Sequence, residues 1–382
     1  MRESTTILIG TTKGAFLLSG KGREGWSLSG PHCDGWPINH VLGDPETGTI
    51  WAGGGGPWSG AGVWRSTDGG ASWTLAKLSK GQVDEWAAND PEMARFMNWT
   101  PTETKFDGLA DSVWSLHHAH GRLYAGTRPA QLLASTDDGV TWEKSEALAN
   151  FPDRDTWNPG AAGLVLHSIV TDPDDPKKLW LGISSSGVFA SEDGGESWER
   201  RNRMSNAEAH AHHDHPAAPR GGETGHCVHN IARAPEGDLL YQQNHHGVFR
   251  SADGGRSWDD ITEGLPSTFG FPIAVHPRDG QTAWVLPLNG DTEGRYPPEA
   301  SAAVWKTTDG GQSWEAKRAG LPQKTCFFTV LRQAMAIDRA TPAGLYFGTN
   351  TGSIFASLDE GESWEEIARH LPTVLGVEVL QH

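Results

Sequence analysis

A chain of 382 residues with 36% hydrophobic residues and net charge −17 can bury a large core, and it has no basic stretch with which to hold nucleic acid or an anionic membrane surface. No apolar run is long enough to cross a bilayer, and residues 1 to 10 lack the apolar core and cleavage site of a signal peptide. The three cysteines, Cys33, Cys227 and Cys326, show no close metal spacing and fit reduced thiols, so a cytoplasmic location is expected.

In chain order the first readable elements are Ile7 to Thr12 and Lys13 to Leu18, both of strand character, followed by Ser19 to Trp26. The first and last letters of that segment return in a fuller phrase at Ser66 to Trp73: Ser, any, Asp, any, Gly, any, Ser or Thr, Trp. Further copies run from Ser135 to Trp142, Ser191 to Trp198, Ser251 to Trp258, Thr307 to Trp314 and Ser357 to Trp364. A phrase that recurs along a whole chain fixes the architecture before local propensity does. Its aspartate can accept amides of its own turn, its glycine can take a positive φ, and its tryptophan supplies an apolar plate. Each copy is therefore a tight turn between strands, and Ser19 to Trp26 is a worn seventh copy. Runs such as Gly62 to Ser66, Gly187 to Ser191 and Gly247 to Ser251 lead into the turns with the alternation of half-buried strands.

Six units begin near Asn39, Val113, His167, His229, Ile273 and Val330. Four short strands do not use all the residues between copies. The surplus falls at 77 to 111, 146 to 162 and 200 to 225, with a further insertion from Leu288 to Ala302. Within the first, Asp90 followed by Pro91 marks a short helix over 90 to 97. The tail, Thr373 to Leu380, is a strand with no turn phrase after it.

The repeated phrase resembles the Asp-box, or bacterial neuraminidase repeat, of sialidases, xyloglucanases, sortilin-type receptors and a photosystem assembly factor. The resemblance implies an all-β fold, a seven-bladed β-propeller with Asp-box turns. Its blades would span 1 to 30 with 372 to 382, then 36 to 78, 111 to 145, 162 to 203, 226 to 262, 270 to 318 and 326 to 370. The tail strand is expected to pair beside residues 7 to 12 and close the ring, removing the exposed sheet edges. In such a ring the long insertions share one face and the phrase turns share the other, so binding is expected on the insertion face.

Asp68, Asp137, Asp193, Asp253, Asp309 and Asp359 are accordingly expected to be structural. On the insertion face the innermost strands start at Asn39 and His40, Trp114, His167, His229, Phe271, and Gln333 preceded by Arg332. His167, His229 and His40 are candidate bases or ligands of a divalent metal; as a plainer alternative, they line a wet channel. Candidate ligand-binding residues are Asn39, Trp58, Trp114, Arg128, Trp157, His245, Arg295, Tyr296 and Arg332. The tract His210 to His215 is expected to be a solvated loop.

Sialidase chemistry, as the resemblance implies it, needs three arginines and a nucleophilic tyrosine. Here Tyr124, Tyr241 and Tyr346 occupy one repeated strand slot, only Tyr296 lies off it, and the Arg-Ile-Pro signature is absent. The similar xyloglucanases use two propellers, where this chain has one. The expectation is a hydrolase or lyase acting on a glycan or other polar small molecule in a loop-covered mouth, without a nucleotide cofactor. The alternative is a non-catalytic scaffold for a protein partner.

Overall fold

The computed structural model describes residues 4–22, 24–205 and 222–381. The histidine tract 210 to 215 lies outside them. Seven four-stranded antiparallel sheets follow one another along the chain, and the structure is a seven-bladed β-propeller. In the first sheet β1 (Thr5–Thr11), β2 (Gly14–Lys21) and β3 (Glu24–His32) are joined by the last strand, β28 (Val374–Gln381), in the order β28-β1-β2-β3. Ile9 faces Val377 and Ile7 faces Val379 across the seam. The tail thus supplies the innermost strand of the first blade, as expected, and the backbone amide of Val377 donates to Gln333 O of the last blade at 2.7 Å.

The other innermost strands are β4 (Ile38–Gly43), β8 (Ser112–Ala119), β12 (Leu166–Thr171), β16 (Val228–Arg233), β20 (Gly270–His276) and β24 (Met335–Ile337). The last begins five residues beyond the expected start at Val330. Residues 331 to 334 form a turn closed by Ala334 N donating to Leu331 O, and this turn carries Arg332 and Gln333.

The phrase turns repeat one set of bonds. At the first, Ser66 Oγ donates to Asp68 Oδ1 (2.8 Å), and the carboxylate accepts both the amide (2.9 Å) and the hydroxyl (2.6 Å) of Ser72. Gly70 takes φ +90, which a side chain would strain, and its amide donates to Ser66 Oγ at 2.8 Å. Asp137, Asp193, Asp253, Asp309 and Asp359 hold their turns with the same bonds.

Neighbouring blades are joined by tryptophans that the phrase does not contain. The indole of Trp51 donates to Asp138 O (2.9 Å), that of Trp180 to Gly254 O (2.8 Å) and that of Trp284 to Glu360 O (3.2 Å). Each lies on the second strand of one blade and reaches the phrase turn of the next. All three are fully buried, so an apolar plate and a satisfied donor serve one contact.

The 77 to 111 insertion contains α1 (Gln82–Asn89) and α2 (Pro91–Phe96). Asp90 caps α2, accepting from the amides of Glu92 and Met93, with Pro91 in the first turn. Asp84, buried, ties the insertion down through Lys77 Nζ, the Gly81 amide and the Trp99 indole. No helix among the described residues is long and apolar enough to cross a membrane.

Candidate functional site

Sheet order places the connections between second and third strands, and those between blades, on one face. The phrase turns and the connections between first and second strands lie on the other. The phrase aspartates are therefore remote from the elaborated face. Hydrogen bonds, the Ser72 hydroxyl foremost, hold Asp68 down at about 2, and Asp137, Asp193 and Asp309 sit equally low with Thr141, Ser197 and Ser313 in that place.

Every innermost strand from β4 to β20 is irregular near its start. Pairing shifts between Ile38 and His40, Val113 and Ser115, Leu166 and Ser168, Val228 and Asn230, and Gly270 and Ile273. A bulge re-aims the extra side chain out of the strand's alternation. Asn39, Trp114, His167 and His229 are the bulged residues and correspond to one another. His40 is one position further on and corresponds to Ser115, Ser168 and Asn230. A one-residue offset in a strand sends a side chain elsewhere, so His40 does not occupy the slot that His167 and His229 share. His40 Nδ1 accepts the Leu116 amide of the next blade (2.9 Å), and its Nε2 faces Glu378 Oε1 at 3.7 Å. Inside the ring His40, His117, His167, Asn230, Gln333 and Glu378 line a polar channel cavity of about 190 Å³.

His167 and His229 are 1% and 2% exposed. Burial first, then the Arg332 guanidinium, holds both imidazoles well below their ordinary range, so both are neutral. His167 Nδ1 meets Ser168 Oγ at 2.9 Å, its ring lies against the Val228 backbone of the next blade, and its Nε2 is sealed from water. His229 Nδ1 lies 2.6 Å from Gly270 O. A carbonyl can only accept, so Nδ1 carries the proton and Nε2 presents a lone pair. That lone pair faces Cys227 Sγ at 3.7 Å.

His245, on the turn between the second and third strands of the same blade, joins them: its amide donates to Cys227 O (3.0 Å), and its ring lies 5.5 Å from that of His229. Among the described residues, Cys227, His229 and His245 are the single group of three histidine, cysteine or acidic side chains whose ligand atoms lie within 4.8 Å of one another. Phe269 and Phe271 wall the group at 5.1 and 4.7 Å from the His229 ring. Arg332 lies over Phe271 (5.1 Å), and Arg295 lies over both rings (5.8 and 5.9 Å). Neither arginine forms an ion pair with a carboxylate among the described residues, and Arg332 Nε is sealed from water without a partner. Burial lowers Arg332 to about 10, which leaves it cationic at neutral pH. Burial pushes the Cys227 thiol up; Arg332 and the Ser185 hydroxyl pull the other way.

The remaining candidates are dispersed. Arg128 is held by Asp111 (2.9 Å) and lies over the Trp114 ring, whose indole donates to Ser112 Oγ. Asn39 donates to Val113 O (2.8 Å). Trp157 is buried against Phe151 and Phe189 beneath Arg154, and so packs an insertion onto its blade. His226 pairs with Glu223. Tyr296, next to Arg295, packs on Phe327 (5.0 Å). Trp58 and Trp86 form an outward pair, 5.9 Å apart and 54% and 42% exposed. The sequence reading missed Cys227 and gave His245 no partner. The signal was a Cys-x-His run whose hairpin neighbour, Asn244 opposite Val228, precedes a histidine.

No family model matches the chain. It is 24% identical over 219 residues to the oligoxyloglucan-reducing end-specific xyloglucanase of Emericella nidulans, covering 50% of this chain and 25% of that protein. The chain spans about a quarter of the length of the curated xyloglucanases it matches. The crystal structure of the GH74 xyloglucanase from Xanthomonas campestris superposes with TM-score 0.61 at 18% identity, over 96% of this chain and 52% of the other. The structure of YCF48 bound to D1 peptide does so with TM-score 0.52 at 14% identity, over 96% and 86%. At these identities the structural likeness is one of fold: this chain is a seven-bladed β-propeller, an architecture it shares with glycoside hydrolases and with an assembly protein.

Proposed function

We propose that the chain is a hydrolase or lyase whose ligand is an anionic glycan or sugar acid bound on the elaborated face. One observation carries this reading: Arg295 and Arg332 flank Phe271 beside His229 with no carboxylate in ion-pair contact among the described residues, in a chain of net charge −17. A partly buried cation without a counter-ion is costly, and a bound carboxylate, sulfate or phosphate removes that cost. His229, neutral, turns its Nε2 lone pair into the cluster beside these arginines. The xyloglucanase relatives support a glycan; the arginines argue for an acidic one over neutral xyloglucan. The test is turnover of matched acidic and neutral oligosaccharides, with reducing ends reporting hydrolysis and ultraviolet absorbance of an unsaturated uronate reporting elimination. Turnover of the acidic series alone, lost in Arg332→Met, is expected. Equal turnover of the neutral series would refute the assignment.

A second reading, a scaffold for a protein partner, draws on the exposed Trp58–Trp86 pair, which joins the 57 to 60 turn to the helical insertion, and on Phe96 of that insertion, 85% exposed. Loss of partner capture in Trp58→Ala with Trp86→Ala, with Arg332→Met unaffected, would favour it.

A further inference from the structure

We propose that Cys227, His229 and His245 form a zinc-type metal site with three protein ligands and one open position. The proposal deepens the reading of this face as an enzyme site.

The first support is distance. Zinc takes thiolate at about 2.3 Å and imidazole nitrogen at about 2.0–2.1 Å in a tetrahedron, which sets neighbouring sulfur and nitrogen ligands roughly 3.6 Å apart. Cys227 Sγ and His229 Nε2 are 3.7 Å apart. The ligand atom of His245 lies within 4.8 Å of both, at most roughly 1.5 Å beyond a tetrahedral edge.

The second is orientation. A metal-bound histidine commonly donates its other ring nitrogen to a carbonyl or carboxylate, which fixes the tautomer and aims the lone pair. His229 has this arrangement: Nδ1 donates to Gly270 O, and Nε2 points to the sulfur. The carbonyl belongs to the neighbouring blade, so the closed ring itself aims the ligand. His245 is fixed relative to Cys227 by the hairpin, through its amide on Cys227 O.

The third is donor chemistry. One thiol and two imidazoles suit zinc or copper(I) over calcium or magnesium, which prefer oxygen. Arg332 and Arg295 oppose a cation, but Cys227 would bind as thiolate and release its proton, so zinc adds one net positive charge. Three protein ligands leave the fourth place for water or a ligand oxygen, the pattern of catalytic zinc sites. Arginines beside such a position would hold an anionic ligand against it.

The test uses full-length, tag-free protein. Elemental analysis after dialysis against zinc should find one zinc per chain. Replacement by cobalt should give a thiolate-to-cobalt charge-transfer band, absent in Cys227→Ser. Cys227→Ser and His245→Gln should each weaken zinc beyond the about 10–100-fold that loss of a supporting group costs. His40→Gln and a variant with His210, His212, His213 and His215 changed to Ala should bind as the parent does. Both key variants alter half-buried side chains, and circular dichroism checks that they fold. Absence of stoichiometric zinc in the parent, or unchanged affinity in folded Cys227→Ser, overturns the site. Either result leaves the anion assignment standing, since that rests on Arg295 and Arg332; failure of the anion assignment leaves zinc content unchanged.

Discussion

His229 Nδ1 donates across a blade boundary to Gly270 O at 2.6 Å. This bond joins the fold to the candidate chemistry, because the neighbouring blade decides which imidazole nitrogen faces Cys227. His229→Phe preserves bulk but strands the Gly270 carbonyl and removes the lone pair. The expected result is a stability loss of about 1–3 kcal/mol by denaturant titration, with turnover abolished. A fully active His229→Phe would remove this residue from the chemistry.

The indole of Trp180 donates to Gly254 O of the next blade and is fully buried. Trp180→Ala should cost roughly 3–5 kcal/mol. Trp180→Phe, which keeps most of the plate but leaves the carbonyl unbonded, should cost less. Thermal melts of both variants separate packing from hydrogen bonding at the blade joint.

Closure by β28 gives a sharper test. Leu380 is buried against Leu8 and Gly43, and Val377 is fully buried. Leu380→Ala should destabilise by roughly 2–5 kcal/mol. Truncation after Thr373 exposes β1 as an open edge, and size-exclusion chromatography with light scattering should show self-association.

Stability should fall in mild acid. Burial first, then the charges of His40, His118 and His120, lowers His117 from 6.5 to about 4. Between those values the unfolded chain takes up a proton that the folded chain refuses, so stability is full above about pH 6.5 and declines as pH falls towards 4. The slope from this group is at most about 1.4 kcal/mol per pH unit. His117→Gln should flatten the melting temperature over that window. Below it the low-lying turn aspartates add a second decline, starting near their ordinary value and running down to about 2.

The fold was legible because its signal is periodic: one turn phrase repeats, and Thr373 to Leu380 had no partner but the first blade. The inter-blade tryptophans were less so, since Trp51, Trp180 and Trp284 share only a strand slot and declare their acceptors once blades are stacked. The candidate site was half legible. His229, His245, Arg295 and Arg332, all named from the sequence, lie together around Phe269 and Phe271, but His40 was grouped with His167 and His229 by counting from strand starts. A bulge near the start of the innermost strands β4, β12 and β16 makes such counting fail by one residue, and one residue in a strand reverses the side chain. Cys227 was passed over because cysteine spacing along the sequence cannot reveal a histidine opposite it in a hairpin.

The central claim, that Arg332 and Arg295 await an anion, is tested most directly by calorimetric titration of galacturonate oligomers and their neutral galactose counterparts into parent and Arg332→Met protein. The account predicts binding of the acidic oligomers alone, weakened by about 1.5–3 kcal/mol or more in the variant. Equal affinity for acid and neutral oligomers, or acid binding unchanged in Arg332→Met, would contradict it.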